Sequence, residues 1–397
     1  MLSNDIVLAG HIDIDIIPAL AAHQGDLASM LTPGKLVQIG PATITPGGAV
    51  SGTGLAFHRL GMSPRLMGKV GNDLLGHALL EVLRRHEPYL AQDMIVDDDA
   101  ATSYTIVLSP PGRDRCFLHC CGANDTYCAD DIDTRKLQGV RLFHFGYPPL
   151  MKRMYCDGGT ELAKLLSRVR SCGATISLDM AFPDPSSNAG KADWARILSG
   201  ALPHVDVFLP SLDEILFMLD ADTYRRMESS GGLGAAEGLG TDMLARLAER
   251  LLDMGCAVVA LKLGDHGLYV RTTGDRLRMA SAGRLAPRDI DSWVSREIMA
   301  TCFDVNVVGT TGSGDCTIAG FLAGMANGLG VGQAATAATA VGACSVEAAD
   351  STSAVPPWQK VQERIAAGWL RRSPRLPMPA WRHDVASGLW IGPHDRT

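Results

Sequence analysis

The order of apolar and amphipathic segments is the feature that most limits how this chain can fold. Short apolar runs of the kind that form buried strands lie at residues 6–10, 140–145, 174–178, 205–209 and 257–261. Segments with helical periodicity lie among them, at residues 78–85, 160–170, 213–219 and 243–254. This alternation predicts right-handed βαβ units, and therefore an α/β fold with a largely parallel central sheet and helices on both faces.

The same pattern predicts where a ligand binds, because ligands of open α/β sheets lie at the carboxyl ends of the strands. Five residues follow predicted strands and would meet at that edge: Asp15, Tyr147, Asp179, Ser211 and Gly264. We therefore expect these residues to line one crevice.

A glycine-rich segment at residues 308–321 (VGTTGSGDCTIAGF) places a carboxylate directly after two glycines and before an apolar, helix-like run. Gly312 and Gly314 allow backbone N–H groups to converge on an anion, and the helix adds its positive end. Asp315 then lies beside a transferring phosphoryl group, where it can accept the proton of an alcohol. Taken alone the segment is weak evidence, because glycine-rich turns before helices are common and Asp is a favoured helix cap.

Two further segments strengthen that interpretation. Residues 46–61 (PGGAVSGTGLAFHRLG) and 67–76 (MGKVGNDLLG) resemble the N-terminal signature of the ribokinase-like carbohydrate kinases, also called the PfkB family. The residues around Asp315 resemble the C-terminal signature of the same family. Two motifs in the right order, separated by most of the chain, are much less expected by chance than either one. The resemblance covers about residues 5–370.

The resemblance implies a ribokinase-like domain over residues 1–370, with three layers, α/β/α, and a small β-lid over the sugar. The lid segments are expected at about residues 12–45 and 98–122. Within them, residues 36–45 and 102–121 have the pattern of extended strands.

Two segments fit neither the layers nor the lid. Residues 229–238 are rich in Gly and Ser and are expected to form a mobile insertion. Residues 371–397 contain several prolines and are expected to form an irregular C-terminal extension. Arg113 and Arg115, in the suspected lid, are interpreted as exposed hairpin charges rather than as ligands of an acidic substrate.

The resemblance also implies roles for the residues of the C-terminal motif. Asp315 matches the catalytic base. Gly312, Ser313 and Gly314 match the backbone amides that form the family's anion hole. Gly309 stands where relatives usually have an Asp that helps to bind an activating monovalent cation, so we expect little activation by K⁺.

The substrate-binding candidates are Asp15, Gly47, Gly48, Gly52 and Tyr147. Asp15 lies at the spacing after Gly10 at which the family places a carboxylate that holds sugar hydroxyls, and two carboxylate oxygens can accept two O–H bonds. Asp13 is its nearest competitor. Gly47 and Gly48 would let the backbone approach the substrate closely. Gly52 replaces the usual Asn of this motif, so one side-chain contact with the sugar is expected to be missing.

The nucleotide and metal candidates lie in two later motifs. Residues 211–214 (SLDE) resemble the family's NxxE motif with Ser211 in place of Asn. Glu214 is expected to act on Mg²⁺ through water, because magnesium keeps much of its hydration; the alternative is a solvated acid in a helix's first turn. Lys262, Gly264 and Gly267 belong to a segment that resembles the motif next to the nucleotide phosphates. Asp179 and Pro183 lie where many relatives have a DxNxR pattern, but the Asn and Arg are absent.

Composition argues against several other classes. A net charge of −7 and a pI near 5.9 argue against broad nucleic-acid binding. Residues 316–346 contain no charged residue, but their glycines favour two buried helices over a membrane span. Ten cysteines without a CxxC pair favour buried free thiols over a zinc site. Because no signal-peptide pattern is present, we expect a reducing, cytoplasmic compartment.

The leading functional interpretation is a kinase that uses ATP and Mg²⁺ to phosphorylate a hydroxymethyl group of a sugar or sugar-like molecule. A nucleoside kinase or a kinase of another small alcohol is the closest variant. A catalytically weak ligand-binding sensor is the alternative from a different class, motivated by the departures from the family motifs. A dinucleotide oxidoreductase is disfavoured because the GxGxxG pattern fails at Thr317. A homodimer through the lid is a candidate assembly.

Overall fold

The computed structural model describes residues 5–20, 32–109, 116–235 and 238–396. Within these ranges the strands are β1 (Ile6–Gly10), β2 (Asp13–Pro18), β3 (Ala42–Gly47), β4 (Pro64–Met67), β5 (Lys69–Gly71), β6 (Ile95–Asp97), β7 (Tyr104–Leu108), β8 (Cys116–Cys120), β9 (Leu142–Gly146), β10 (Thr175–Leu178), β11 (Val207–Phe208), β12 (Val258–Lys262), β13 (Leu268–Thr272), β14 (Glu297–Ala300), β15 (Arg382–Asp384) and β16 (Leu389–Ile391). The α-helices are α1 (Gly48–Arg59), α2 (Leu74–His86), α3 (Lys152–Tyr155), α4 (Thr160–Ser171), α5 (Trp194–Ala201), α6 (Leu212–Leu219), α7 (Ala221–Ser230), α8 (Thr241–Asp253), α9 (Arg276–Ala280), α10 (Ser313–Ala326), α11 (Val331–Ser345) and α12 (Trp358–Ala366). Arg113 and Arg115 lie outside the described residues.

The largest sheet is the central layer of the predicted α/β/α arrangement. Across the described residues its ten strands run in the order β15-β16-β14-β13-β12-β11-β10-β9-β1-β4. The strands from β12 to β4 pair in parallel, and the other four continue the sheet in antiparallel pairing. The predicted fold class, with its mostly parallel central sheet, is therefore confirmed.

Alternate residues of β1 face the two helical layers. Leu8 is buried in one apolar cluster with Phe57 of α1 and Phe321 of α10. Val7, its neighbour, is buried in a second cluster with Leu166 of α4. A strand that is covered on both faces needs an apolar side chain at every position, which explains the continuous apolar run that marked β1 in the sequence.

The long uncharged stretch forms two helices, α10 and α11, that pack closely through small residues. A Cβ atom added to Gly320 would lie 2.7 Å from the carbonyl oxygen of Ala337, and one added to Gly324 would lie 2.9 Å from Cα of Ala334. The prediction of two buried helices is confirmed. Among the described residues, no helix combines the length and apolarity that crossing a bilayer requires.

A second sheet of four strands, in the order β3-β2-β7-β8, forms the lid. β2 pairs antiparallel with β3 and parallel with β7, and β7 pairs antiparallel with β8. The hairpin expected within residues 102–121 is present. The strand expected within residues 36–45 begins only at Ala42, while β2 was not predicted as a strand.

The two segments expected to be irregular have different outcomes. Residues 229 and 230 end helix α7, and the N–H of Gly234 donates to the carbonyl of Leu239 at 2.7 Å. The mobility of residues 229–238 stays a prediction, whereas the expectation of an irregular C-terminal segment is wrong. The C-terminal segment forms β15 and β16, and Trp390 of β16 pairs with Met299 of β14. These strands are only three residues long, and β16 is fixed by pairing with a strand about 90 residues earlier, which local sequence cannot reveal.

All ten cysteines are free thiols, as expected. Cys256, Cys316 and Cys344 are buried, as expected. Cys116 in the lid is exposed and the other six thiols are half-buried, so the expectation of burial is wrong for these.

Candidate active site

A cleft of about 910 Å³ lies between the carboxyl ends of the parallel strands and the lid. All five residues predicted to meet at this edge line it: Asp15, Tyr147, Asp179, Ser211 and Gly264. The cleft is also lined by Gly48, Glu214, Lys262, Gly312, Gly314 and Asp315. The sheet topology therefore brings together most of the residues that the sequence motifs singled out.

A smaller pocket of about 230 Å³ adjoins the cleft and shares Lys262, Gly264 and Gly314 with it. Two more predicted residues, Gly267 and Ser313, line this pocket. Its walls are mostly apolar and come from residues such as Val305, Val307, Thr339 and Val346. Walls of this kind suit a flat ring, and the shared residues lie where the pocket meets the cleft.

Asp315 lies in the first turn of α10, and its side chain is almost fully buried at 8% exposure. Gly312 precedes the helix with φ of 69°, a left-handed conformation that glycine adopts without strain. The N–H groups in the first turn of a helix have no intrahelical partners, and here the N–H of Ser313 donates to the carbonyl of Thr310 at 3.4 Å. The Asp315 carboxylate and the N-terminus of α10 thus occupy the same corner.

Two hydroxyl groups hold the Asp315 carboxylate. Tyr147 donates to Oδ1 at 2.7 Å, and Thr53 of α1 donates to the same oxygen at 3.2 Å. Burial raises the pKa of Asp315 from 3.8 to about 6, although the hydrogen bond from Tyr147 and the charge of Lys262 oppose the rise. A carboxylate with a pKa near 6 is ionised at neutral pH and is a stronger base than an ordinary Asp.

Gly52 lies on α1 behind Asp315, and a Cβ atom added to it would lie 2.7 Å from Cγ of that residue. Gly52 therefore packs against the Asp315 carboxylate, and with Asp315 in its present position a larger side chain here would press on it. The substrate contact that Gly52 was expected to lack stays a prediction.

Lys262, at the end of β12, forms an ion pair with Asp179, and the Nζ to Oδ1 distance is 2.7 Å. Asp179 is buried at 1% exposure, and the side chain of Lys262 is nearly buried. Burial alone would lower the pKa of Lys262, but the charges of Asp179, Glu214 and Asp315 raise it above its ordinary value. Burial, together with the charges of Glu214 and Asp315, raises the pKa of Asp179, although the Lys262 ammonium group opposes the rise. The carboxylate oxygens in this corner are ligands of the kind that Mg²⁺ prefers.

Glu214 and Ser211 form a reciprocal cap at the start of α6. The backbone N–H of Ser211 donates to Oε2 of Glu214 at 2.6 Å, and the N–H of Glu214 donates to the Ser211 hydroxyl at 3.3 Å. Ser211 also bridges to Lys262 on the neighbouring strand. The capping role and the location in the cleft occur together, so the cap fixes a carboxylate on the cleft wall.

At the lid end of the cleft, β2 presents Asp13 and Asp15 on one face. Asp15 pairs in register with Thr105 of β7, and Thr105 pairs with His119 of β8, so these side chains share the face toward the cleft. A Cβ atom added to Gly47 would lie 2.7 Å from Oδ2 of Asp15, which shows that this glycine makes room for a lid carboxylate. Oδ1 of Asp13 would lie nearer still, so Gly47 packs against both lid carboxylates. Its approach to a substrate stays a prediction.

Asp13 is buried beside two histidines. Thr105 donates a short hydrogen bond to Asp13 Oδ2, and His119 Nδ1 lies 3.5 Å from the same oxygen. Burial lowers the pKa of His11 to about 4, whereas Asp13 and Cys121 outweigh burial and raise the pKa of His119 to about 10. Local sequence could not predict that His11, Asp13 and His119 lie together, because His11 and His119 are more than 100 residues apart.

Comparison with known proteins supplies evidence independent of this geometry. A profile described as pfkB family carbohydrate kinase matches residues 3–358. A protein named "Uncharacterized sugar kinase" from Archaeoglobus fulgidus is 25% identical over 302 residues, which are 76% of this chain and 98% of that protein. The 2-dehydro-3-deoxygluconokinase of Bacillus subtilis is 24% identical over 325 residues, which are 81% of this chain and 86% of that enzyme.

Solved structures show the same fold. The ribokinase of Thermotoga maritima aligns with a TM-score of 0.65 at 18% identity and covers 92% of this chain and 100% of its own. A ribokinase from Arabidopsis thaliana, solved with ribose and ATP, aligns with a TM-score of 0.66 at 14% identity and covers 91% and 98% respectively.

Proposed function

Because the chain belongs to the pfkB family of carbohydrate kinases, as its two motifs predicted, we propose that it transfers the γ-phosphoryl group of ATP to a hydroxymethyl oxygen of a sugar or sugar-like acceptor. In this proposal the acceptor occupies the larger cleft under the lid. The nucleotide occupies the smaller apolar pocket, with its phosphates beside Lys262, Gly264 and Gly314. These three residues line both cavities, so the γ-phosphate reaches the acceptor there.

The position of Asp315 is the observation on which the proposal rests. Asp315 lines the acceptor cleft and lies in the first turn of α10. Ser313 and Gly314, the first two residues of that helix, line the proposed nucleotide pocket. Asp315 therefore lies where an acceptor hydroxyl would meet a γ-phosphate. Its raised pKa, about 6, suits a general base at neutral pH.

The proposed reaction begins when Asp315 accepts the proton of the acceptor hydroxyl. The oxygen forms a bond to the γ-phosphorus, and the bond from that phosphorus to the β,γ-bridging oxygen breaks, so that ADP leaves. The amides of residues 313–315 and the Lys262 ammonium group face the charge on the phosphoryl oxygens. Glu214, and with it Asp179, would hold Mg²⁺, which neutralises phosphate charge when it is bound.

Acceptor recognition is assigned to the lid end of the cleft. In this proposal Asp15 accepts hydrogen bonds from substrate hydroxyls and Gly48 lets the backbone approach. Tyr147, which also lines the cleft, holds the Asp315 carboxylate through its hydroxyl group. A nucleoside or another small alcohol would use the same base and remains the variant to be tested. The intact Asp315 corner favours a working kinase over a ligand-binding sensor.

The experiment is an ADP-release assay with a panel of sugars, sugar acids and nucleosides, run on the wild-type protein and on Asp315→Asn. We expect at least one acceptor to be phosphorylated, with kcat lowered by about 10²-fold or more in the variant and little change in ATP affinity. Asp253→Asn, an exposed acid at the end of α8, is the matched control and should keep wild-type kcat. Near-normal kcat in Asp315→Asn would contradict the assignment.

The lid's outer face supports a proposal about assembly. Ile44, Ile16, Ile106 and Leu118 pair in register across the four lid strands, which places a row of aliphatic side chains on one face. Ile44 is 49% exposed and Leu118 is 52% exposed. An aliphatic sheet face of this kind would be covered by the lid of a second copy in a homodimer.

Light scattering on a sizing column tests this assembly. Ile44→Lys with Leu118→Lys should shift a dimer to a monomer, and Leu277→Lys, which changes an exposed leucine on α9, should not. A wild-type protein that is monomeric at micromolar concentration would exclude the lid dimer.

A further inference from the structure

A cluster of three potential metal ligands lies at the lid end of the cleft, away from the Glu214 and Asp179 corner. It consists of His11 and Asp13, at the join between β1 and β2, and His119 on lid strand β8. One ligand atom from each residue lies within 4.8 Å of the others. We propose that these residues form a binding site for Zn²⁺, which goes beyond the phosphotransfer function and does not depend on it.

The spacing of the two imidazole rings matches that of a zinc site. Nε2 of His11 and Nε2 of His119 are 3.3 Å apart. Zinc–nitrogen bonds of about 2.0–2.1 Å place two ligands of a tetrahedral ion about 3.3–3.4 Å apart. The two nitrogens face each other across one edge of such a tetrahedron.

The other nitrogen of His119 has the partners that usually orient a metal-binding histidine. Nδ1 lies 2.9 Å from the Thr105 hydroxyl and 3.5 Å from Asp13 Oδ2. Metal-binding histidines commonly direct one ring nitrogen at a carboxylate or hydroxyl, which fixes the ring and leaves the opposite nitrogen for the metal. His119 has this arrangement, with Nε2 directed at His11.

Asp13 is the third member of the cluster, in which one ligand atom from each residue lies within 4.8 Å of the others. Its Oδ2 is engaged by Thr105, but Oδ1 is buried without a hydrogen-bond partner. His11 Nδ1 is likewise buried and unpartnered. Buried polar atoms without partners are costly in a folded protein, and a bound cation would provide the missing interaction for the carboxylate oxygen.

The chemistry of the donors selects zinc over magnesium. Two imidazoles and one carboxylate suit Zn²⁺, whereas Mg²⁺ and Ca²⁺ prefer sites made of oxygen. His119 must release its proton when the metal binds. Because the cluster lines the cleft, water or a substrate oxygen could reach a metal bound there.

Equilibrium dialysis against Zn²⁺ in the presence of excess Mg²⁺, followed by metal analysis, tests the proposal on the full chain. We expect one high-affinity zinc per chain in the wild-type protein. His119→Gln and His11→Gln should each weaken it by at least about 10-fold. His77→Gln, which removes an exposed histidine of α2, should bind zinc like the wild type.

Two further measurements separate ligand loss from misfolding and from adventitious binding by thiols. Without metal, the variants should unfold near the temperature at which the wild-type protein unfolds. Addition of Zn²⁺ should raise the unfolding temperature of the wild type and of His77→Gln only. Co²⁺ in place of zinc should give the visible absorption of a four-coordinate ion, lost in His119→Gln. Zinc binding that His119→Gln and His11→Gln leave unchanged, or no high-affinity zinc in the wild type, would overturn the proposal.

The result is independent of the kinase assignment. Asp315→Asn should retain the zinc site, because Asp315 is not one of its three ligands. The nearest link between the two is Tyr147, whose hydroxyl donates to Asp315 at 2.7 Å and whose ring centroid lies 5.9 Å from that of His11. Loss of acceptor affinity in His119→Gln without any zinc binding in the wild type would instead identify the cluster as a hydrogen-bonding site for the acceptor.

Discussion

Replacement of Gly52 by Ala should disable the enzyme through a single methyl group. The added Cβ would lie 2.7 Å from Cγ of Asp315, whereas ordinary van der Waals contact begins near 3.4 Å. The carboxylate oxygen lies nearer still, so the Asp315 side chain has to move by roughly an ångström. In doing so it gives up its hydrogen bonds with Tyr147 and Thr53.

The expected cost falls on catalysis more than on stability. A misplacement of about 1 Å in a reacting group can lower a rate by about 10²-fold, so kcat should fall by about that factor with little change in ATP affinity. Overpacking should cost about 1–3 kcal/mol of the free energy of unfolding. Ala regains about 0.5–1 kcal/mol over Gly inside a helix. The free energy of unfolding should therefore fall by about 0–2.5 kcal/mol.

Steady-state kinetics and thermal unfolding of Gly52→Ala and Gly54→Ala provide the measurement. Gly54 lies on the same helix and is also buried, but a Cβ atom there would meet the end of the flexible Leu66 side chain. The second variant should therefore keep its kcat. If Gly52→Ala turns over at the wild-type rate, Asp315 does not act from this position.

Three other outcomes are expected. Asp315 is active when ionised and its pKa is raised to about 6, so kcat/KM should decline as pH falls through about 6 rather than through 4; a profile flat down to pH 5 would exclude it as the base. Asp15→Ala should cost about 1.5–3 kcal/mol in kcat/KM for the acceptor with unchanged ATP affinity, and equal losses for both substrates would point to a structural role. K⁺ should activate weakly, because Gly309 has no carboxylate and a Cβ there would lie 2.9 Å from the Ala348 carbonyl oxygen; saturable activation over a bulky organic cation would contradict this.

Much of the fold was accessible from sequence because local pattern decided it. β1 was predicted residue for residue, since a strand buried on both faces is apolar throughout. Helix α4 was predicted to within one residue, because one face alone is buried and the period is clear. The corner around Asp315 was found because glycine positions and a helix start lie next to each other in the chain.

The remainder depends on contacts between distant segments. Nothing near Thr53 shows that its hydroxyl reaches Asp315, which lies 262 residues later. Gly52 was interpreted as a lost substrate contact, and nothing near it in the sequence shows that it packs against Asp315. The sequence predicted that Asp179 follows a strand, but not that it pairs with Lys262. That lysine lies on β12, two strands away from β10 in the sheet. The sequence motifs therefore identified several candidate residues, but they did not predict which of their atoms are in contact.

The antiparallel pairing of β16 with β14 bears on where the protein can be shortened. The family profile ends at residue 358, but the central sheet continues beyond it. Glu297 of β14 is fully buried and accepts a hydrogen bond from the N–H of His394 at 2.8 Å, and Asp395 forms an ion pair with Arg296 at 2.8 Å. Truncation at the family boundary would uncover this carboxylate and expose β14 as a bare sheet edge, which invites pairing between chains and aggregation. The smallest well-behaved version of this kinase should therefore retain the last two strands, even though they lie outside the part that it shares with the family profile.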